Sequence, residues 1–139
     1  MANCYDELGR EDQARALRRE VYAGSLRLHG PSSEITINSA NNLALSLENA
    51  EAKSLMRKNS SISRRSLGED HIYTLRARSL LAGALLKEHD FHEWHEGVAI
   101  YEDVCRRSRR VFGESHPDTR IFQTNFDVAK KIVRLASVG

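Results

Sequence analysis

Proline is scarce in this 139-residue chain: Pro31 and Pro117 are the only two, and 86 positions separate them. A β-sandwich needs turn residues every ~8–12 positions, so that spacing argues against an all-β fold. Aromatics make up only 6% of the chain. No apolar run approaches the ~20 residues that span a bilayer, so no membrane crossing is expected. Cysteine is limited to Cys4 and Cys105, with no CxxC spacing; this fits two small thiols in a reducing compartment better than a disulfide. Charge of one sign is lacking too. Twenty-one basic residues face nineteen acidic ones, for a net +2, too balanced to mark a nucleic-acid binder. The opening Met1–Asp12 has no basic stretch leading into an apolar one, so a cytoplasmic location is expected.

What the chain does have is 40% hydrophobic residues, enough for one domain with its own core, and it repeats itself. Gly30-Pro31-Ser32-Ser33-Glu34-Ile35-Thr36, Gly68-Glu69-Asp70-His71-Ile72-Tyr73-Thr74 and Gly113-Glu114-Ser115-His116-Pro117-Asp118-Thr119 superimpose, with Gly first and Thr seventh. The glycines stand 38 and 45 residues apart. Twelve and thirteen positions beyond them come Asn42-Leu43, Leu80-Leu81 and Asn125-Phe126; sixteen before them come Ala14, Ala52 and Gly97. Four linked offsets in three copies are beyond chance.

Between the glycines the apolar period is helical: Ala40, Leu43, Ala44 and Leu47 form one stripe, and Ala14, Leu17, Val21 and Leu28 another. Each repeat thus reads as an antiparallel helix pair. Helix A follows the glycine loop, and helix B runs from near the small residue to the next glycine, its left-handed cap. Pro117 suits a first helical turn, with Ser115 or His116 capping. Seven helices are predicted, at 1–8, 11–28, 34–48, 50–67, 72–88, 92–111 and 117–136. Ala14, Ala52 and Gly97 are read as the points where helices cross closely; a glycine there costs roughly 1 kcal/mol of helix propensity, which packing must return.

The combination of Leu8-Gly9-Arg10 with Ala14, Asn42-Leu43-Ala44, and Gly113 to Thr119 resembles the tetratricopeptide repeat, in the long-repeat variant of kinesin light chains. The resemblance covers nearly the whole chain. It implies an all-α, right-handed solenoid of antiparallel helix pairs, about three and a half repeats in one domain: a partial repeat 1–29, repeats 30–67 and 68–112, and a capping helix 113–139. It also implies a concave wall of A helices that binds an extended peptide. Carried over by position, the wall comprises Asn3, Asn38, Asn41, Asn42, Leu45, Arg76, Ser79, Leu80, Gly83 and Asn125. Asparagine suits it because its amide both donates and accepts. Leu80 interrupts any continuous asparagine ladder.

Three departures from the regular pattern carry expectations. The second repeat is about one helical turn short, with a tight turn around Glu48-Asn49, since a fused helix would strand both apolar stripes. The third has an insertion around Glu88–Glu96, read as a mobile polar connection anchored by Phe91 and Trp94. The last helix places Asp127 and Lys130 where earlier A helices carry Ala and Leu, a polar cap for the stack.

Other motifs weigh little. His89, His92 and His95 with Glu93 and Glu96 have partial chelating spacing but no cysteine beside them. Arg27, Arg65 and Arg110 coincide in register; they read first as solvated helix faces near helix ends, and alternatively as a basic stripe along the convex side for phosphates, an anionic surface or an acidic partner. No GxSxG, P-loop or HExxH is present, so no enzyme and no cofactor are implied. The expected function is a non-enzymatic scaffold for a protein or peptide partner, with no specific nucleic acid. The other reading is an assembly module docking edge-to-edge, because Tyr5, Leu8 and Leu17 lack a preceding helix to cover them.

Overall fold

A computed structural model describes residues 4–138 of the chain. It contains six helices: α1 (Cys4–His29), α2 (Glu34–Ala44), α3 (Asn49–Ser66), α4 (Ile72–Leu86), α5 (Phe91–Phe112) and α6 (Pro117–Val138), with no strand among the described residues. The count is six rather than seven because 4–29 is continuous. Gly9 is the only breaker at the expected break; one helical glycine costs about 1 kcal/mol, too little to halt a run of Leu, Arg, Glu, Gln and Ala. The turn expected around Glu48-Asn49 does separate α2 from α3 but lies slightly earlier, at 45–48, with Ser46 N–H bonding Leu43 O at 2.9 Å. The fused hairpin therefore lies in the first repeat.

The three repeat glycines end their B helices. Gly30, Gly68 and Gly113 have φ of 79°, 96° and 90°, and no other residue type takes a positive φ among the described residues. Their N–H groups reach back to Leu26, Ser63 and Arg109 carbonyls, satisfying acceptors the helix end would leave open. Histidine supplies the following N-cap: His71 Nδ1 accepts from Tyr73 N–H at 3.0 Å, and His116 Nδ1 from Asp118 N–H at 3.1 Å.

Each helix packs on its sequence neighbours, and the only further contacts are α2 with α4 and α4 with α6. Such nearest-neighbour packing makes a solenoid. On the A side α2 packs on α4 and α4 on α6, whereas α3 is bridged to α1 and α5 only by long side chains, Arg19–Glu51, Lys53–Glu93 and Arg57–Glu96, so the stack closes tighter on the A side, its inner face. Three small cores run along it, built around Met56 and Leu85, around Leu75, Val104 and Phe122, and around Ala82, Tyr101 and Ala129; Ile100 packs against all three. Gly97 lies at one crossing as expected. A Cβ there would sit 3.1 Å from the Ala82 carbonyl oxygen and 3.2 Å from Leu86 Cγ.

The insertion is not a loose connection. From Phe91 onward it is the first turns of α5, so His92 and His95 are helical. Asp90 caps it by accepting from His92 N–H, and the Trp94 indole N–H donates to the Glu88 carbonyl. Glu93 and Glu96 bind Lys53 and Arg57 of α3 at 3.0 and 2.9 Å. The extra residues lengthen α5 and tie it to its neighbour. In α6, Asp127 and Lys130 are exposed.

Candidate functional site

Three A helices present side chains to one trough. A cavity of about 420 Å³ is lined by Asn38, Asn41, Asn42 and Leu45 from α2 and its end, by Arg76, Ser79 and Leu80 from α4, and by Asp118, Ile121, Phe122 and Asn125 from α6. A second, of about 240 Å³, shares Leu45, Ser79, Leu80 and Asn125 with it and continues past Gly83 toward Tyr101. The trough thus gathers every wall residue expected from sequence except Asn3, which lies outside the described residues.

The reason is rotational register. Positions 38, 42 and 45 advance by four and three residues, one stripe of a 3.6-residue helix. The same offsets from the next glycines give Arg76, Leu80 and Gly83, then Ile121, Asn125 and Val128.

The wall residues differ in what they have left to offer a ligand. Asn41 is buried and its amide is spent: Nδ2 donates to the Tyr73 carbonyl at 3.1 Å, and Oδ1 accepts from Asn59 Nδ2 at 2.9 Å. It pins α2 to α3 and α4, and is not an open peptide ligand as the wall reading had it. Asn42 is exposed, and Asn38 and Asn125 are half-buried. None of these three makes a side-chain hydrogen bond among the described residues, so their donors and acceptors face the trough unspent. Leu45 is 64% exposed at the rim, and Phe122 and Leu80 floor the middle.

Arg76 spans the trough's edge. Its Nη2 donates to Asp118 Oδ2 at 2.8 Å, joining α4 to α6, and its guanidinium lies 5.9 Å from the Tyr73 ring centre. The pair leaves the trough close to neutral. At the far end, burial pushes the Tyr101 hydroxyl up to about 12, against the opposing effect of its hydrogen bond with Ser79. Tyr101 is therefore neutral and fills the space beside Gly83, where a Cβ would come within 3.1 Å of its oxygen.

The sequence reading missed Asp118, Ile121 and Phe122. Ile121 was within reach, since it holds the register place of Asn38 and Arg76. Ile121 and Val128 are 56% and 53% exposed, and with Ile132 and Leu135 they carry an apolar stripe along α6 beyond the cavity.

A trough of this kind offers neutral hydrogen-bonding amides over an apolar floor. It holds no nucleophile–base pair, and no cluster of metal-ligating side chains occurs among the described residues. No curated protein matches the chain. A family profile described as Tetratricopeptide repeat matches residues 36–73 and 74–118, two consecutive units whose lengths repeat the glycine spacing of 38 and 45. With more than half its length matched, on a stack of helix pairs, the chain belongs to the tetratricopeptide repeat family.

Proposed function

We propose that this chain is a non-enzymatic scaffold that holds an extended segment of a partner protein along the trough formed by α2, α4 and α6. Tetratricopeptide repeats are in general protein–protein interaction modules, and a right-handed superhelix with a cytoplasmic role fits this reading. One observation carries it: Asn38, Asn42 and Asn125, on two different helices, point unspent amides into one trough floored by Leu80 and Phe122. An extended peptide exposes a backbone donor and acceptor at each residue. Amides meet these without the desolvation cost of a charge, while apolar side chains enter the cavity between them. The near-neutral lining favours an uncharged stretch.

The test is selection of peptides from a random display library, followed by affinity measurement on Asn42→Ala/Asn125→Ala. Losing two hydrogen bonds predicts a weakening of about tenfold to a hundredfold at unchanged helical content. Equal affinity in the double variant would remove the trough from the binding account.

A second reading has its own observation. On α1, Leu17, Val21 and Leu28 are 61%, 50% and 78% exposed on the side where a helix A would lie; Tyr5 lies outside the described side chains. Edge-to-edge assembly through this face predicts a concentration-dependent mass in light scattering, abolished by Leu17→Glu/Val21→Glu. A monomer at all concentrations eliminates it.

A further inference from the structure

The trough leaves the opposite side of the stack unaccounted for. Because the backbones of α3 and α5 stand apart, joined only by side-chain ion pairs, a cleft opens between them, floored by α4. Its cavity of about 630 Å³ is lined by Arg57, Arg64, Arg65 and Arg78, with Glu69, Glu96, Ser60 and Ser61 among the other walls. Two of the four guanidiniums are neutralised: Arg57 is held in a two-pronged bond by Glu96, both prongs 2.9 Å, and Arg64 by Glu69 at 2.8 Å. Of the other two, Arg78 has only a share of Asp103, which also binds Arg106 and Arg107, and Arg65 has no carboxylate partner among the described residues.

Arg65 is exposed and makes no ion pair among the described residues. Arg78 forms the cleft's floor, only 8% exposed. A single nitrogen of its guanidinium is hydrogen-bonded, to Asp103 at 2.5 Å, and Asp103 is shared with Arg106 and Arg107. A buried guanidinium with most of its donors unspent, beside an unpaired one, is a costly arrangement for a purely structural cleft.

The repeat does not require it. The equivalent gap, between α1 and α3, is lined by Tyr22, Leu43, Leu47 and Leu55 beside Arg19, Glu51 and Lys58. Counted from the repeat glycines, Arg78, Arg64, Ser60 and Ser61 take the places of Ala40, Leu26, Tyr22 and Ala23. The Arg–Glu bridge recurs in both gaps, as Arg19–Glu51 and Arg57–Glu96, so it belongs to the stacking. Compared with that gap, Arg64, Arg78 and the two hydroxyls are new to this cleft, whereas Arg65 keeps the register place of Arg27.

We propose that the cleft between α3 and α5 binds a phosphate-type oxyanion, clamped by Arg65 and Arg78 with the Ser61 hydroxyl as a further donor. Guanidinium forks match phosphate oxygens in pairs, and the low-dielectric floor strengthens the attraction. The ligand is either a free phosphate ion or the phosphate monoester of a modified protein side chain, and both offer the same chemistry.

The experiment follows the arginine Nε–H signals of the 15N-labelled protein by NMR. The titrants are inorganic phosphate, a phosphoserine peptide and that peptide unphosphorylated. Saturable shifts at Arg65 and Arg78 with phosphate or the phosphopeptide, absent with the plain peptide, support the site. Arg65→Ala, at an exposed helix position, should weaken binding by about tenfold or more at unchanged helical content; Arg106→Ala, outside the lining, should not. A phosphopeptide much tighter than the ion identifies a modified protein as the source, and equal affinities identify the free ion. Non-saturating shifts spread over all surface arginines, or binding unchanged in Arg65→Ala, would overturn the proposal.

Discussion

At the residue scale, the seventh place of the repeat shows one side chain serving three environments. Thr36 donates to the Ser25 carbonyl at 3.1 Å, and Thr119 pairs with Ser108 Oγ at 2.6 Å. Thr74 is fully buried with an unpartnered hydroxyl. Such a group costs about 1–3 kcal/mol, so Thr74→Val should raise stability, by up to about 1 kcal/mol once the imperfect fit is included. Thr119→Val should lower it by about 1–2 kcal/mol by stranding Ser108. Urea denaturation of both variants checks the opposite signs. The partner serines, Ser25, Ser63 and Ser108, stand five residues before each glycine and are all buried. That offset was as readable as the others, but serine reads as a surface residue until the crossing helix is placed.

Asp103 supplies a second residue-scale prediction. Burial works to raise its carboxyl, but hydrogen bonds from Arg78 and Arg107 outweigh this and hold it at about 2. A depressed value means stability present above the unfolded value near 3.9 and lost as pH falls toward 2. Asp103→Asn should therefore destabilise the chain clearly at pH 7 and hardly at all at pH 2, measured by thermal melts across that window.

At the element scale, the same substitution should act in opposite directions at two glycines. Gly68 has φ of 96°, and a Cβ there meets nothing within 4 Å. Gly68→Ala is thus a pure backbone test and should cost about 1 kcal/mol or more. Gly9 lies inside α1 with equally open surroundings, and Gly9→Ala should add up to about 1 kcal/mol. Melting temperatures of the two variants moving the same way would refute this account of α1. The contrast also explains what was legible. Glycine, histidine and threonine at fixed offsets declared the caps and turns of α3 to α6. The unbroken α1 was not visible because Leu8-Gly9-Arg10 carries the repeat's turn residues, while a single helical glycine is too weak a breaker to stop the helix. Likewise Asn41 and Asn42 look alike in sequence; about 100° of helix rotation places one amide in the protein and the other in the trough.

For the whole molecule, register transferred well and closure did not. Offsets from the glycines located the trough across three helices, including its α4 members, whose composition resembles neither neighbour. On the opposite side the register showed a basic stripe but not which arginines are paired, because paired arginines read as solvated faces until the distance between α3 and α5 is known.

That distance has a mechanical consequence. The inner helices are joined by close packing, which salt leaves alone; the outer ones are linked by exposed or half-exposed ion pairs such as Arg57–Glu96 and Lys53–Glu93. Added electrolyte screens the second kind of link and not the first. The chain should therefore flex like a leaf spring with a stiff inner ply, its bend relaxing as ionic strength rises. Small-angle X-ray scattering from low to 1 M salt should show the profile shift while helical content stays constant; an unchanged profile would mean the outer pairs carry no share of the curvature.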